Sequence, residues 1–251
     1  MTVAVLYSRA LNGMAAHEVT VEANLAGGLP MFTIVGLPDT EVKESKDRVR
    51  AAIQNAGFEF PARRITINLA PADLPKESGR FDLPIALGVL AASGQIPGDR
   101  LKEYEFAGEL SLTGDLRPVR GALAMTLGAD RAGRAFVLPR ASAAEAALAR
   151  AAEIYPADSL LQVCAHLARQ EPLTRVTARP AASNAGTYSD LSEVKGQAQA
   201  KRALEVAAAG GHSILLASRR GPANPCWPRA CPASCRRYRT TLHSNRQRCS
   251  A

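Results

Sequence analysis

Four cysteines near the end of the chain, Cys226, Cys231, Cys235 and Cys249, stand with His243 as its densest group of metal-ligating side chains. Thiolates and imidazoles hold zinc, but structural sites pair their cysteines as Cys-x-x-Cys, and spacings of five and four do not match that pattern. No metal site is expected here. The same stretch carries Arg219, Arg220, Arg236, Arg237, Arg239, Arg246 and Arg248 with Trp227 and Tyr238. Guanidinium groups contact phosphates and the rings stack on bases, so the chemistry on offer is salt-sensitive, non-specific binding of nucleic acid. A different candidate is Asp190-Leu191-Ser192-Glu193-Val194-Lys195-Gly196-Gln197. Gly196 suits a close backbone approach to a ligand, and Val194 offers it an apolar wall. By themselves, Asp190 and Ser192 read as helix caps and Gln197 as a helix start.

The net charge of +8 over 251 residues points to a polyanion partner until its distribution is considered. Met1 to Ser218 holds 23 basic and 23 acidic residues, whereas the last 33 residues hold eight arginines and no acid. The chain is therefore two compositions joined end to end. Its neutral part, in a sequence 47% hydrophobic and 22% charged, is long enough to bury one good core. The longest apolar stretches, such as Ile85 to Ala92, are far shorter than a membrane helix requires, and no basic leader precedes an apolar segment at the N-terminus. A single cysteine before residue 226 argues against a disulfide framework. The expectation is a cytoplasmic protein with no membrane partner.

Alternation and turn signals give the elements. Thr2 to Ser8, Val19 to Leu25 and Met31 to Val35 read as strands, and Gly36-Leu37-Pro38 turns the chain into a helix capped by Asp39 or Thr40 and ended by Gly57. Ile65, Ile67 and Leu69 alternate as a strand, followed by a loop over Pro71 to Gly79 and an apolar helix from Asp82 to Ser93. Glu105 to Leu110 and Phe136 to Leu138 are expected as strands, and Val119 to Ala132 and Ala141 to Ala152 as helices. Strands alternating with helices predict an α/β (α+β) domain over residues 1–168. Residues 169–189, rich in Pro, Thr, Ala and Gly, read as a linker. A helix from Gln197 to Ala208 and a strand from Ser213 to Ala217 then begin a second domain over 190–217, before a disordered basic tail over 218–251.

Several runs resemble one family: Tyr7-Ser8-Arg9-Ala10, Phe32 to Asp39, Lys43-Glu44-Ser45, Asn68-Leu69-Ala70-Pro71-Ala72-Asp73, and Lys76-Glu77-Ser78-Gly79-Arg80-Phe81-Asp82-Leu83-Pro84. They are similar to the N-terminal domain of the magnesium-chelatase-like AAA+ ATPases of the YifB/ComM family, over about residues 1–217. The resemblance implies a Lon-protease-like domain of the ribosomal-S5-domain-2 type followed by an ATPase motor. Intact members are expected to use ATP and magnesium, and the ComM type to work as a homo-hexamer on DNA, driving branch migration in natural transformation. The resemblance also places Val194, Gly196 and Gln197 in the segment beside the adenine ring. Lon-type proteolysis needs a serine activated by a lysine. The resemblance makes Ser78 the counterpart of the serine, whereas the stretch from Gly108 to Ala124, which resembles the lysine-bearing segment, has no lysine. No catalytic residue is therefore assigned.

After Ile214-Leu215-Leu216-Ala217 such a motor presents a glycine-rich loop ending in Gly-Lys-Ser or Gly-Lys-Thr. Its N–H groups cradle the phosphates, its lysine neutralises their charge and its hydroxyl holds magnesium. The chain instead reads Ser218-Arg219-Arg220-Gly221-Pro222-Ala223-Asn224-Pro225, with no lysine and with two prolines that lack the N–H. Read one frame over, the codons of Cys226-Trp227-Pro228 force Leu-Ala, and the run from Ser218 to Ala230 permits Pro-Pro-Gly-Thr-Gly-Lys-Ser-Met-Leu-Ala-Ala-Arg-Leu. A frameshift near Ala217 or Ser218 is the reading, with the basic tail its product and the rest of the motor lost. Sequencing the gene around codon 218 checks it: a nucleotide sequence that cannot encode Gly-Lys-Ser in another frame refutes the frameshift.

Overall fold

In the computed structural model, the structure describes residues 2–13, 15–74, 76, 78–176, 195–210, 212 and 214. They fall in two units, Met1–Arg179 and Pro180–Ala251.

The first unit is built on strands whose side chains alternate between two covered faces. β1 (Thr2–Asn12) and β2 (Ala15–Ala26) form a hairpin in which every residue of β1 pairs across the turn. β4 (Arg64–Ala70) runs antiparallel to β2, and β3 (Met31–Val35) runs parallel to β4 at the sheet edge. On the other side of β1 stand β5 (Tyr104–Phe106), β8 (Ala135–Pro139) and β9 (Ile154–Ala157), all parallel. The order in the sheet is β3-β4-β2-β1-β5-β8-β9. A small hairpin, β6 (Glu109–Leu110) with β7 (Leu116–Arg117), lies apart from it.

Helices cover both faces, so burial follows the pleat. Leu6, Val21, Ile67 and Val137 join α1 (Thr40–Asn55), α2 (Asp82–Ala92) and α5 (Leu160–Leu167) in one apolar core. Phe136, Leu138 and Ile154 join α3 (Ala122–Arg131) and α4 (Ala143–Ala146) in the other. α2 is buried on all sides, and Gly88 lets it lie against the sheet, since a Cβ there would meet Ala23 Cβ at 2.9 Å. Asp39 caps α1, its carboxylate accepting from Val42 N at 2.8 Å.

The mixed α/β class holds, with differences in detail. Glu105 to Leu110 is not one strand: β5 and β6 are separated by Ala107-Gly108, where Gly108 N donates to Arg80 O at 2.9 Å and Leu83 N donates to Gly108 O at 3.0 Å. Pro84 accounts for the first bond, because it has no N–H to claim the Arg80 carbonyl four residues back. Residues 141–152 are not one helix but a 3₁₀ turn at Arg140–Ser142 followed by α4. The Val119 to Ala132 helix starts at Ala122, since Ser142 Oγ already accepts from Val119 N at 3.0 Å. β9 and α5 are additional. The stretch expected as linker from Arg169 stays packed as far as Val176, which donates to Ile154 O at 2.9 Å, while Leu173 N donates to His166 Nδ1 at 3.0 Å.

Among the described residues no helix is long and apolar enough to cross a membrane. In the second unit α6 (Ala198–Gly210) starts and ends within two residues of the Gln197 to Ala208 expectation. Ile214 is not in a strand, and the rest of the Ser213 to Ala217 strand, most of the linker and the 218–251 tail lie outside the described residues.

The β1–β5 ladder, registered at Tyr7 and Glu105, joins the β3-β4-β2-β1 side of the sheet to the β5-β8-β9 side. A charge cluster reinforces it. Arg9 donates Nε and Nη2 to the two Glu105 oxygens, each at 2.7 Å, and Nη1 to Ala16 O at 3.0 Å. Arg134 donates to Glu105 at 3.0 Å and Glu18 at 2.7 Å while lying 3.7 Å over the Tyr7 ring. Gly128 of α3 makes room, since a Cβ there would stand 3.0 Å from Arg9 Nε. Glu105 is fully buried, so Glu105→Gln leaves two guanidinium groups short of a countercharge. Urea denaturation is expected to show a loss of about 3–5 kcal/mol. A loss below about 1 kcal/mol contradicts this role of the pair.

Candidate functional site

The strands β1, β3, β4, β5, β8 and β9 all end at one edge of the sheet, the edge where open α/β sheets place their ligand sites. Two of the family-like loops meet there. The β3–α1 loop turns at Gly36, where a Cβ would sit 2.0 Å from Leu69 O, so only glycine allows this approach. Asp39 N donates to Lys76 O at 3.2 Å, tying this loop to the one that follows β4.

That second loop carries the candidate chemistry. Lys76 is fully buried and its Nζ donates to Pro71 O, so the side chain closes its own loop. Burial lowers its pKa, with Asp73 opposing. Ser78 sits at φ 69° and ψ 162°, a region that side chains other than glycine's rarely adopt. Its hydroxyl accepts from Arg80 Nε at 2.8 Å. A guanidinium stays protonated and takes no proton from serine, so this contact does not activate a nucleophile. The stretch that resembles the lysine-bearing segment does come to this loop. Gly79 packs where a Cβ would meet Glu109 Cγ at 2.7 Å, and α3 brings the Met125 sulfur 3.8 Å from Arg80 Nη1. At that point α3 supplies a thioether in place of a base.

Beside it, Asp82 opens α2 without exposure to solvent. Arg48 of α1 donates Nε at 2.7 Å and Nη2 at 3.2 Å to its carboxylate, and Leu110 N of β6 donates at 3.2 Å. One carboxylate thus fastens three elements around the Ser78 loop. Burial pushes the Asp82 carboxyl up to about 6 although Arg48 pulls it down. Glu109 lies in the stretch that the resemblance had set opposite Ser78, whereas Arg48 and Met125 were not singled out from sequence as site neighbours. They lie on other elements, and no spacing pattern links them to Ser78.

The second candidate segment is only partly described. Val194 lies outside the described residues. Gly196 has φ 69° and, among the described residues, nothing within 4 Å of where a Cβ would be, which leaves its backbone conformation to account for the glycine. Gln197, at φ 54°, precedes α6 and accepts from Lys201 N at 3.1 Å. By themselves Gly196 and Gln197 offer no cradle for a triphosphate.

A family model described as subunit ChlI of magnesium chelatase matches residues 21–142, which include both loops, and a second, for magnesium chelatase subunit ChlI, matches 190–225. The YifB protein of Salmonella typhimurium is 51% identical over 216 residues, 86% of this chain and 42% of that protein. The competence protein ComM of Haemophilus influenzae is 49% identical over 220 residues, 86% of this chain and 43% of that protein. The chain belongs to the magnesium-chelatase-like YifB/ComM family. It spans less than half the length of these relatives. A Lon protease of Chloroflexus aurantiacus is 30% identical over 131 residues, 49% of this chain and 16% of that protein. The second family match begins at Asp190 and runs past Ala217 to Pro225.

The Asp82 carboxyl has a pH signature that a merely packed residue lacks. Its folded pKa, about 6, stands above the unfolded value of about 3.9, so between these limits the folded state holds a proton the unfolded chain has released. Its contribution to stability is full below about pH 4 and declines as pH rises to about 6. Urea denaturation across this range is expected to show that decline, and Asp82→Asn to remove it. An Asp82→Asn variant with the same pH slope as the parent contradicts the assignment.

Proposed function

We propose that this chain supplies the Lon-like N-terminal domain and the entry segment of a magnesium-chelatase-like AAA+ motor, and that it does not itself hydrolyse ATP. The observation that carries the second half is the run Ser218 to Pro225, which lacks the adjacent lysine and hydroxyl of a phosphate loop and which places prolines where N–H donors are needed. For the intact motor the reading is ATP and magnesium as cofactors, a homo-hexamer as the working assembly and DNA as the substrate. It rests on likeness to ComM over most of this chain. The Lon likeness is read as one of scaffold, because the Ser78 hydroxyl is held by Arg80 and faces no base among its described contacts.

The ATP half is tested by phosphate release, measured with malachite green on the full chain with magnesium and ATP, with and without DNA. The expected outcome is release no faster than in the protein-free control. Magnesium-dependent turnover that survives further purification overturns it.

A further inference from the structure

At the opposite edge of the sheet from the Ser78 loop, where β3 and β4 begin, two concavities of about 240 and 550 Å³ share Pro61, Ala62 and Arg63. The smaller is lined by Met31, Phe32, Arg50 and Phe60. The Phe32 and Phe60 rings lie 5.7 Å apart, and the Arg50 guanidinium lies 5.3 Å from the Phe60 ring centre. Met31 is 56% exposed, and Arg50, Arg63 and Arg64 are exposed as well. Among the described residues none of these three arginines forms an ion pair, although Arg9, Arg48, Arg100, Arg117, Arg134 and Arg140 of the same unit all do. The one carboxylate lining either cavity is Glu59.

Flat apolar surfaces alternating with unpaired guanidinium groups suit a ligand with flat rings and regularly spaced negative charge. The base of a single strand stacks on an aromatic side chain or an arginine plane, while neighbouring arginines take its phosphates. A paired duplex keeps its base faces covered and gains only the phosphate contacts. An acidic peptide likewise gains the charge and leaves the rings unused. We propose that this groove binds single-stranded DNA, with Phe32, Phe60 and Arg50 as the stacking platform and Arg63 as a phosphate contact. The choice of DNA rests on the motor reading above. The groove belongs to the first unit and needs neither the phosphate loop nor the basic tail.

The test uses the full chain, so the tail's eight arginines contribute equally to parent and variants. Binding of fluorescent oligothymidylate is followed by anisotropy at several salt concentrations, and an oligonucleotide carrying 5-iododeoxyuridine is photocrosslinked and its adducts mapped by mass spectrometry. Expected adducts fall on Met31, Phe32 or Phe60. Arg50→Ala with Arg63→Ala is expected to weaken binding about tenfold and flatten its salt dependence, and Phe60→Leu to weaken it about fivefold with unchanged salt dependence. Thermal melts matching the parent establish that the variants fold, and the adduct map of the parent stands even if Phe60→Leu does not. Affinity unchanged in the arginine variant, with adducts confined to residues 219–251, overturns the groove and leaves the motor reading in place. Absence of DNA binding by the parent overturns the groove and the DNA part of that reading together. Polyglutamate competing as well as an oligonucleotide of equal charge also overturns the groove, because the rings then contribute nothing.

Discussion

The Arg9–Glu105 pair joins two sheets' worth of structure into one. The strands β3-β4-β2-β1, which hold both antiparallel pairings of the main sheet, and the parallel strands β5-β8-β9 meet at a ladder registered at Tyr7 and Glu105. A fully buried carboxylate stands at that seam, with two arginines donating to it. Isolated, such a charge is costly in an apolar interior. With both oxygens bonded by Arg9 and a second guanidinium alongside, the cost is offset only when β1, β5 and the α3–β8 turn are all in place. The charge therefore rewards a single arrangement of the two halves.

A second carboxylate repeats the device at the edge where the family-like loops meet. Asp82 holds α1 through Arg48 and β6 through Leu110 N, and so fixes the Ser78 loop from beneath. The resulting geometry looks like that of a site, with a serine in an unusual backbone conformation beside two buried cations. Its bonds are spent internally: Lys76 closes its loop, and Arg80 reaches Ser78 and Met125. Among its described contacts the Ser78 hydroxyl meets a guanidinium rather than a base.

How much of this was legible in the sequence varies with the range of the interaction. Met31–Val35 was read to the residue, and Asp39 was among the expected caps, because strand alternation and capping are local signals. The Ala141 to Ala152 helix was overextended because alanine favours helix everywhere, while the burial of Ala146, Ala149 and Ala152 against α3 and β8 sets where it stops. β9 was missed since Pro156 argues against a strand, yet β9 lies at the sheet edge, where a missing N–H is tolerated. At the site, the Lys76 to Pro84 run stood out, but its partners did not. Arg48 and Asp82 are 34 residues apart, and Arg9 and Glu105 are 96 apart. Opposite charges at such distances carry no periodicity that would pair them.

Those separations also order the assembly of the fold in time. β1 and β2 close across a tight turn at Gly13, whereas the β1–β5 seam closes a loop about ninety residues longer, and the entropy cost of closure grows with loop length. The hairpin is thus available early, with Arg9 still hydrated, and the seam waits until β5 and α3 have formed. A ribosome releasing this chain would present the hairpin well before its electrostatic lock exists, leaving the β1 edge open to other strands in the interval.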